Sequence, residues 1–222
     1  AYYQGLSGKA QMLIVQMGEA GAYIEPELLS IPEDQLEEML KTEGLSKYAM
    51  FYKRLLRRKE HILSKEMEEL LAGVEEVAEG PKDTFMMFNN ADIKFPVITG
   101  EDGEPVEITH GKYAKLLESQ NREVRKAAFE GLYEAYGKFK NTLAATYRAN
   151  VKQAGFFAKA RKYESSLKAA LDGSAIPTEV YDSLIESVHA YLPALHKYVK
   201  MRKEKMGLDE LHIYDLYVPL VG

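Results

Sequence analysis

The 222-residue chain contains no cysteine and no tryptophan. Without cysteine it can form no disulfide, offer no thiolate nucleophile and bind no Cys-ligated metal. No stretch approaches the roughly 18 uncharged apolar residues that a membrane span needs. The opening residues, Ala1-Tyr2-Tyr3-Gln4-Gly5, lack the basic start and apolar core of a secretory signal, so a cytoplasmic setting is expected. No His-Glu-x-x-His zinc motif, no Gly-x-Ser-x-Gly nucleophile elbow and no phosphate loop occurs. The 29 basic and 34 acidic side chains leave a net charge of −5, which argues against a nucleic-acid backbone as the main partner. Hydrophobic residues make up 46% of the chain, enough to bury a core and exclude intrinsic disorder. The length fits one large domain or two small ones.

Helical periodicity dominates. Ser30-Ile31-Pro32-Glu33 has the pattern of a capping box, in which the hydroxyl and the carboxylate satisfy opposite backbone donors. Leu36, Met39 and Leu40 follow as an apolar stripe that stops near Gly44. A second helix carries Tyr48, Phe51, Tyr52, Leu55 and Leu56 on one side and Lys53, Arg54, Arg57, Arg58 and Lys59 on the other. Ser64 opens a third, with Glu66, Glu68 and Glu69 near its positive end and Met67, Leu70, Leu71, Val74 and Ala78 as its buried face. Gly80-Pro81 is expected to end it. Thr109 should cap a short helix through Ser119. Asn121 then opens a periodic run to about residue 160, long enough to expect a break near Gly137 or Gly155. A last helix starts at Ile176-Pro177-Thr178, and Pro193 should kink or split it, because its ring clashes with the carbonyl four residues back. The tail from His212 to Leu220 reads as extended and apolar.

One segment alternates instead. Ile93, Phe95 and Val97, then Val106 and Ile108, have strand spacing around a Gly100-Glu101-Asp102-Gly103-Glu104 turn. This reads as a β-hairpin with an acidic loop, and Pro96 favours an edge strand. A metal-loop reading of Glu101, Asp102 and Glu104 lacks the remaining ligand positions of a calcium loop.

Few side chains point to chemistry. His189 and His196 share a helix face but lie about 10 Å apart along it, too far to hold one zinc without distortion. A packing or hydrogen-bonding role fits them better. The cluster Lys53, Arg54, Arg57, Arg58 and Lys59 reads as a solvated face or as a surface for a peptide carboxylate. Arg122 and Arg125, three apart, could clamp a carboxylate through paired hydrogen bonds, whether from a ligand or from this chain. The 15 tyrosines fall mostly at helical core spacing, and any of them could line a peptide cleft.

The order of segments says more than any one residue. Glu25-Pro26-Glu27-Leu28-Leu29 and Ile31-Pro32-Glu33 come first, followed by Arg58-Lys59-Glu60-His61-Ile62-Leu63-Ser64 and Glu68-Glu69-Leu70-Leu71-Ala72. Asp92-Ile93-Lys94-Phe95 precedes the hairpin, and Glu118-Ser119-Gln120-Asn121-Arg122-Glu123-Val124-Arg125 follows it. Asn141-Thr142-Leu143-Ala144, Ala160-Arg161-Lys162-Tyr163-Glu164-Ser165, Ile176-Pro177-Thr178-Glu179-Val180-Tyr181, Leu195-His196-Lys197-Tyr198 and Tyr214-Asp215-Leu216-Tyr217-Val218-Pro219-Leu220 complete the series. In this collinear order the chain resembles the N-terminal lobe of the oligoendopeptidase F family, from about residue 20 onward.

The resemblance implies a mainly α fold: a helical lobe with one small β-hairpin near 93–108, part of a larger zinc-peptidase fold. It implies an N-terminal helical lobe over residues 1–110 ending in the hairpin, and a long-helix region over 111–222 leading toward a catalytic domain. The family, related to thimet oligopeptidase-like enzymes, consists of cytoplasmic zinc endopeptidases that cut short peptides. Its zinc sits on a His-Glu-x-x-His helix and a downstream Glu, C-terminal to the matched region. No catalytic, cofactor-binding or metal-binding residue is therefore carried over to this chain, which should be inactive alone. Zinc belongs to the parent protein, and the implied partners are a short peptide substrate and the missing catalytic domain. The first stretch of the family's N-terminal lobe is also expected to be absent. A self-standing, non-catalytic helical binding module is the alternative, and a stop codon after Gly222 would select it. If the chain is cut there, Val218, Leu220 and Val221 should be exposed.

Overall fold

A computed structural model describes residues 2–221, apart from the side chains of Gln4 and Ser7. Ala1, one of the five opening residues read for a leader, and Gly222 lie outside the described residues. Helices follow in the order α1 (Tyr2–Gly21), α2 (Ile24–Ser30), α3 (Glu33–Leu40), α4 (Ala49–Arg57), α5 (Lys65–Ala78) and α6 (Gly80–Met87). Strands β1 (Val97–Thr99) and β2 (Pro105–Glu107) come next. Then come α7 (His110–Leu117), α8 (Arg122–Gly137), α9 (Lys140–Ala160), α10 (Ser166–Asp172) and α11 (Thr178–Lys205). The mainly helical fold with a single hairpin is the one expected. Contacts gather the chain into two compact units. One holds the residues up to Thr84 together with Thr146–Thr178, and the other holds Phe85–Ala145 together with the residues from Glu179 onward.

In the first unit, α1 packs along α5. A Cβ on Gly73 would come within 3.1 Å of the Glu19 carboxylate. A second core forms where Leu36 of α3 and Tyr52 and Leu55 of α4 bury against Leu28, Leu29, Ile31, Leu40, Leu56 and Ile62. The buried stripe of α4 is narrower than its periodicity suggests, because Tyr48 and Phe51 stay exposed. On α5, Leu71 is buried but Met67 and Leu70 are exposed.

Two punctuation signals act differently from expectation. Ser30 does not cap α3. It closes α2, and its hydroxyl donates to the Glu27 carbonyl at 2.6 Å. Pro32 forces Ile31 into extended backbone (φ −73°, ψ 132°), and this makes Pro32 the cap residue. Gly80-Pro81 does not merely end α5, which stops at Ala78. It opens α6, because proline in a first turn has no helical N–H to lose.

In the second unit the strands pair antiparallel, with Ile98 opposite Val106. They are shorter than the alternation suggested. Residues 88–92 form a π-helical turn, and Ile93 buries without joining the sheet. Thr109 caps α7 as expected, accepting from the Lys112 N–H at 3.2 Å. Asn121 caps α8 through the Glu123 N–H at 3.0 Å. Val124, Arg125, Ala128, Gly131, Leu132 and Ala135 form the buried stripe of α8. Ala128 meets Leu117 and Tyr214, with Ile98, Tyr113, Leu116 and Phe129 around them. At Gly131 a Cβ would lie 2.8 Å from Pro96 Cγ and 2.9 Å from Ile108 Cδ1, so glycine lets the foot of the hairpin sit against the helix. The long periodic run breaks at Gly137 and continues as α9 straight through Gly155. Pro193 does not split α11, which absorbs it within one continuous 28-residue helix. Among the described residues no helix is long and apolar enough to cross a membrane.

Candidate functional site

The most highly organised polar cluster lies in the second unit, around Asp215. The tail there is not simply extended. Ile213–Asp215 turn into one 3₁₀ turn, and the Asp215 side chain is fully buried. Arg122 grips the carboxylate with two hydrogen bonds, Nε to Oδ1 at 3.2 Å and Nη2 to Oδ2 at 3.0 Å. Arg125, itself buried, donates from Nη2 to Oδ1 at 2.8 Å. The His212 backbone N–H adds a bond to Oδ2 at 3.0 Å. Burial pushes the Asp215 carboxyl up, but the Arg122, His212 and Arg125 donors outweigh burial and hold it down to about 2. The Arg122–Arg125 pair thus has an intramolecular partner, one of the two readings its spacing allowed.

A third arginine fastens the same turn from behind. Arg202, near the end of α11, is buried and donates from Nη2 to the carbonyls of Asp215 (3.0 Å) and Val218 (2.6 Å). Its Nη1 reaches the Tyr198 hydroxyl at 3.1 Å. Backbone carbonyl dipoles solvate this guanidinium in place of water. The tail is packed as a result. Val218 is buried, against the expectation that it would be exposed, while Leu220 and Val221 are exposed as expected. Sequence reasoning found Arg122 and Arg125 but missed Asp215 and Arg202. The available signal was one acid alone within Ile213-Tyr214-Asp215-Leu216-Tyr217-Val218.

The first unit holds a second network. Glu68, read as a carboxylate near the positive end of α5, instead takes Arg161 through two bonds of 2.8 Å, and it accepts the Leu63 N–H at 2.9 Å. Burial raises the Glu68 carboxyl, but the bonds from Arg161 and Leu63 leave it below its usual range. His61 Nδ1 lies 2.9 Å from the Arg161 carbonyl, so that nitrogen carries the proton, and the ring stacks on Tyr163 at 3.6 Å. The Tyr163 hydroxyl donates to Asp172 Oδ2 at 2.8 Å. Two members of the basic cluster also converge on Asp172: Arg57 Nε lies 3.5 Å from Oδ1 and Arg58 Nε 3.3 Å from Oδ2.

The acidic hairpin loop is used internally. Asp102 Oδ1 accepts the Glu104 N–H at 3.1 Å, and Glu101 Oε2 accepts the Ser119 hydroxyl at 2.7 Å. His189 and His196 are exposed on α11. Among the described residues no three His, Asp or Glu side chains gather as a metal site. The zinc implied by the resemblance has no donor set among the described residues. α11 also presents Tyr181, Leu184, Ile185, Val188, Tyr191, Leu195 and Tyr198 at steps of mainly three and four, and all of them are exposed. An amphipathic helix normally buries such a stripe.

Two family profiles match the chain. One, described as Oligopeptidase F, covers residues 27–95, and the other, Peptidase family M3, covers residues 115–220. Oligopeptidase PepF of Bacillus subtilis (strain 168) is 47% identical over all 222 residues. The chain is similar along its whole length to the N-terminal part of oligopeptidase F proteins. Another relative, an oligoendopeptidase F homolog of Lactococcus lactis subsp. lactis (strain IL1403), is 42% identical over 99% of the chain. The crystal structure of oligoendopeptidase-F from Enterococcus faecium superposes on the whole chain with a TM-score of 0.97 at 43% identity, and the chain covers 44% of it. The chain spans 33% of the Bacillus protein and 37% of the Lactococcus protein, about a third of the length of these curated relatives.

Proposed function

We propose that this chain is the N-terminal portion of an oligoendopeptidase F-like zinc metalloendopeptidase that hydrolyses short peptides, and that this portion supplies no catalytic, cofactor-binding or metal-binding residue. The observation that carries the reading is the match along the whole chain to about a third of oligopeptidase F relatives. Hydrolysis of a peptide bond at neutral pH needs a polarised carbonyl and an activated water. In this reading those groups come from the rest of the parent protein. Residues 1–110 form a helical lobe ending in the hairpin, residues 111–222 lead toward the catalytic part, and the apolar stripe of α11 lies under it. The parent is cytoplasmic.

The full-length parent and the 222-residue chain are to be compared on an internally quenched fluorescent peptide, with and without a zinc chelator. The parent should cleave it, lose activity with the chelator and regain it with zinc, and the chain should be inactive under all conditions. Chelator-sensitive turnover by the 222 residues alone would overturn the assignment.

A further inference from the structure

The basic cluster on α4 is only partly accounted for by its internal partners. Met50, Lys53, Arg54 and Arg57 fall at i, i+3, i+4 and i+7, away from the buried Tyr52 and Leu55. They meet the turn Gly173-Ser174-Ala175 that follows α10, and together these seven residues line an open cavity of about 550 Å³. Three of the seven are cationic and none is acidic. The chain as a whole carries −5, so this is a local departure rather than the surface of a basic protein.

Arg57 is fixed in place. Its Nη2 donates to the Asp172 carbonyl at 2.5 Å, and its Nε stands near the Asp172 carboxylate. That carboxylate is already shared with Arg58 and the Tyr163 hydroxyl. The Lys53 and Arg54 side chains have no hydrogen-bond or ion-pair partner among the described residues, although each lies one turn from Arg57. Like charges at this spacing repel one another. A bound anion would reverse the sign of that interaction. Arg54 offers a planar fork, Lys53 a point charge and Ser174 a hydroxyl, a donor set suited to the several oxygens of one anionic group.

We propose that this cavity binds a small oxyanion group, either the C-terminal carboxylate of a short peptide or a phosphate. The anion site itself stands on the geometry of α4, and only its peptide arm rests on the function proposed above. The test uses the full-length protein and the variant Lys53→Gln/Arg54→Gln, which leaves Arg57 and Asp172 intact, with circular dichroism to check that both fold alike.

In one arm, Michaelis parameters are measured for one peptide carrying either a free C-terminal acid or a C-terminal amide. If carboxylate is the ligand, the variant raises KM for the acid about tenfold, changes kcat less than twofold and leaves the amide unaffected. In the other arm, inorganic pyrophosphate is titrated calorimetrically. If phosphate is the ligand, the variant weakens its binding about tenfold. Unchanged pyrophosphate binding together with equal KM changes for acid and amide overturns the site. If the full-length protein cleaves neither peptide, the proposed function fails, and the pyrophosphate titration alone decides the anion site.

Discussion

Replacing Asp215 by asparagine keeps the volume of the side chain and removes its charge. The His212 N–H and part of the arginine hydrogen bonding can survive. What is lost is the counter-charge for Arg125, which is 2% exposed and among the described residues otherwise donates to the carbonyls of Ser119 and Gln120. Breaking a buried pair by removing one charge costs about 3–5 kcal/mol. The depressed carboxyl gives a second measure. A shift from 3.8 to about 2 corresponds to roughly 2 kcal/mol of preferential binding of the charged form. Asp215→Asn is therefore expected to cost about 2–4 kcal/mol, or roughly 5–15 °C in Tm for a chain of this size.

With no tryptophan, unfolding is best followed by far-UV circular dichroism and tyrosine fluorescence in heat and in urea. Arg122→Gln is the control, because its guanidinium is 37% exposed and should cost only about 1 kcal/mol. The pH dependence has a definite sign. A carboxyl whose folded pKa is depressed stabilises fully above its unfolded value near 3.8, and that stabilisation is lost as the pH falls through about 2. The gap between wild type and Asp215→Asn should stay constant from pH 7 to about pH 5 and close below about pH 4. A loss under about 0.5 kcal/mol, or a gap unchanged at acid pH, would refute the view that Asp215 anchors the tail electrostatically.

Two further substitutions probe local packing. Gly131→Ala should destabilise by about 1–2 kcal/mol in urea unfolding. Its Cβ meets Pro96 and the buried Ile108 below 3.0 Å, which outweighs the helix-propensity gain of up to about 1 kcal/mol. Gly137→Ala, with open space around it, should not destabilise, and equal losses at both sites would discredit the close approach of the hairpin to α8. Glu68→Gln should cost about 1–3 kcal/mol by breaking the paired bonds to Arg161. Because the Glu68 carboxyl is depressed, that contribution should be present at neutral pH and fade as the solution is acidified, and a pH-independent loss would contradict it.

The sequence by itself determined the helical character, the hairpin, the helix starts at Thr109 and Asn121, a break in the long periodic run and the family resemblance. These depend on short-range periodicity, on local side-chain-to-backbone bonds and on segment order, all of which are legible along one dimension. Within single elements its reading also fell short. Ser30 closes a helix instead of capping one, because Pro32 resets the backbone at Ile31. Gly80-Pro81 starts a helix that the same residues could equally have stopped. Pro193 is carried inside one long helix that it does not split.

Only the tertiary structure decided where the charges go. Arg122 and Arg125 face Asp215 some ninety residues away, Glu68 faces Arg161 across a similar separation, and Arg57 and Arg58 share Asp172. Long-range carboxylate–guanidinium pairing has no preferred sequence spacing once chain closure is achieved by the fold, so the positions of the arginines could not name those partners. The same reason leaves Lys53 and Arg54 as the informative remainder, cations in the described structure that the fold has placed beside a cavity and left unpaired.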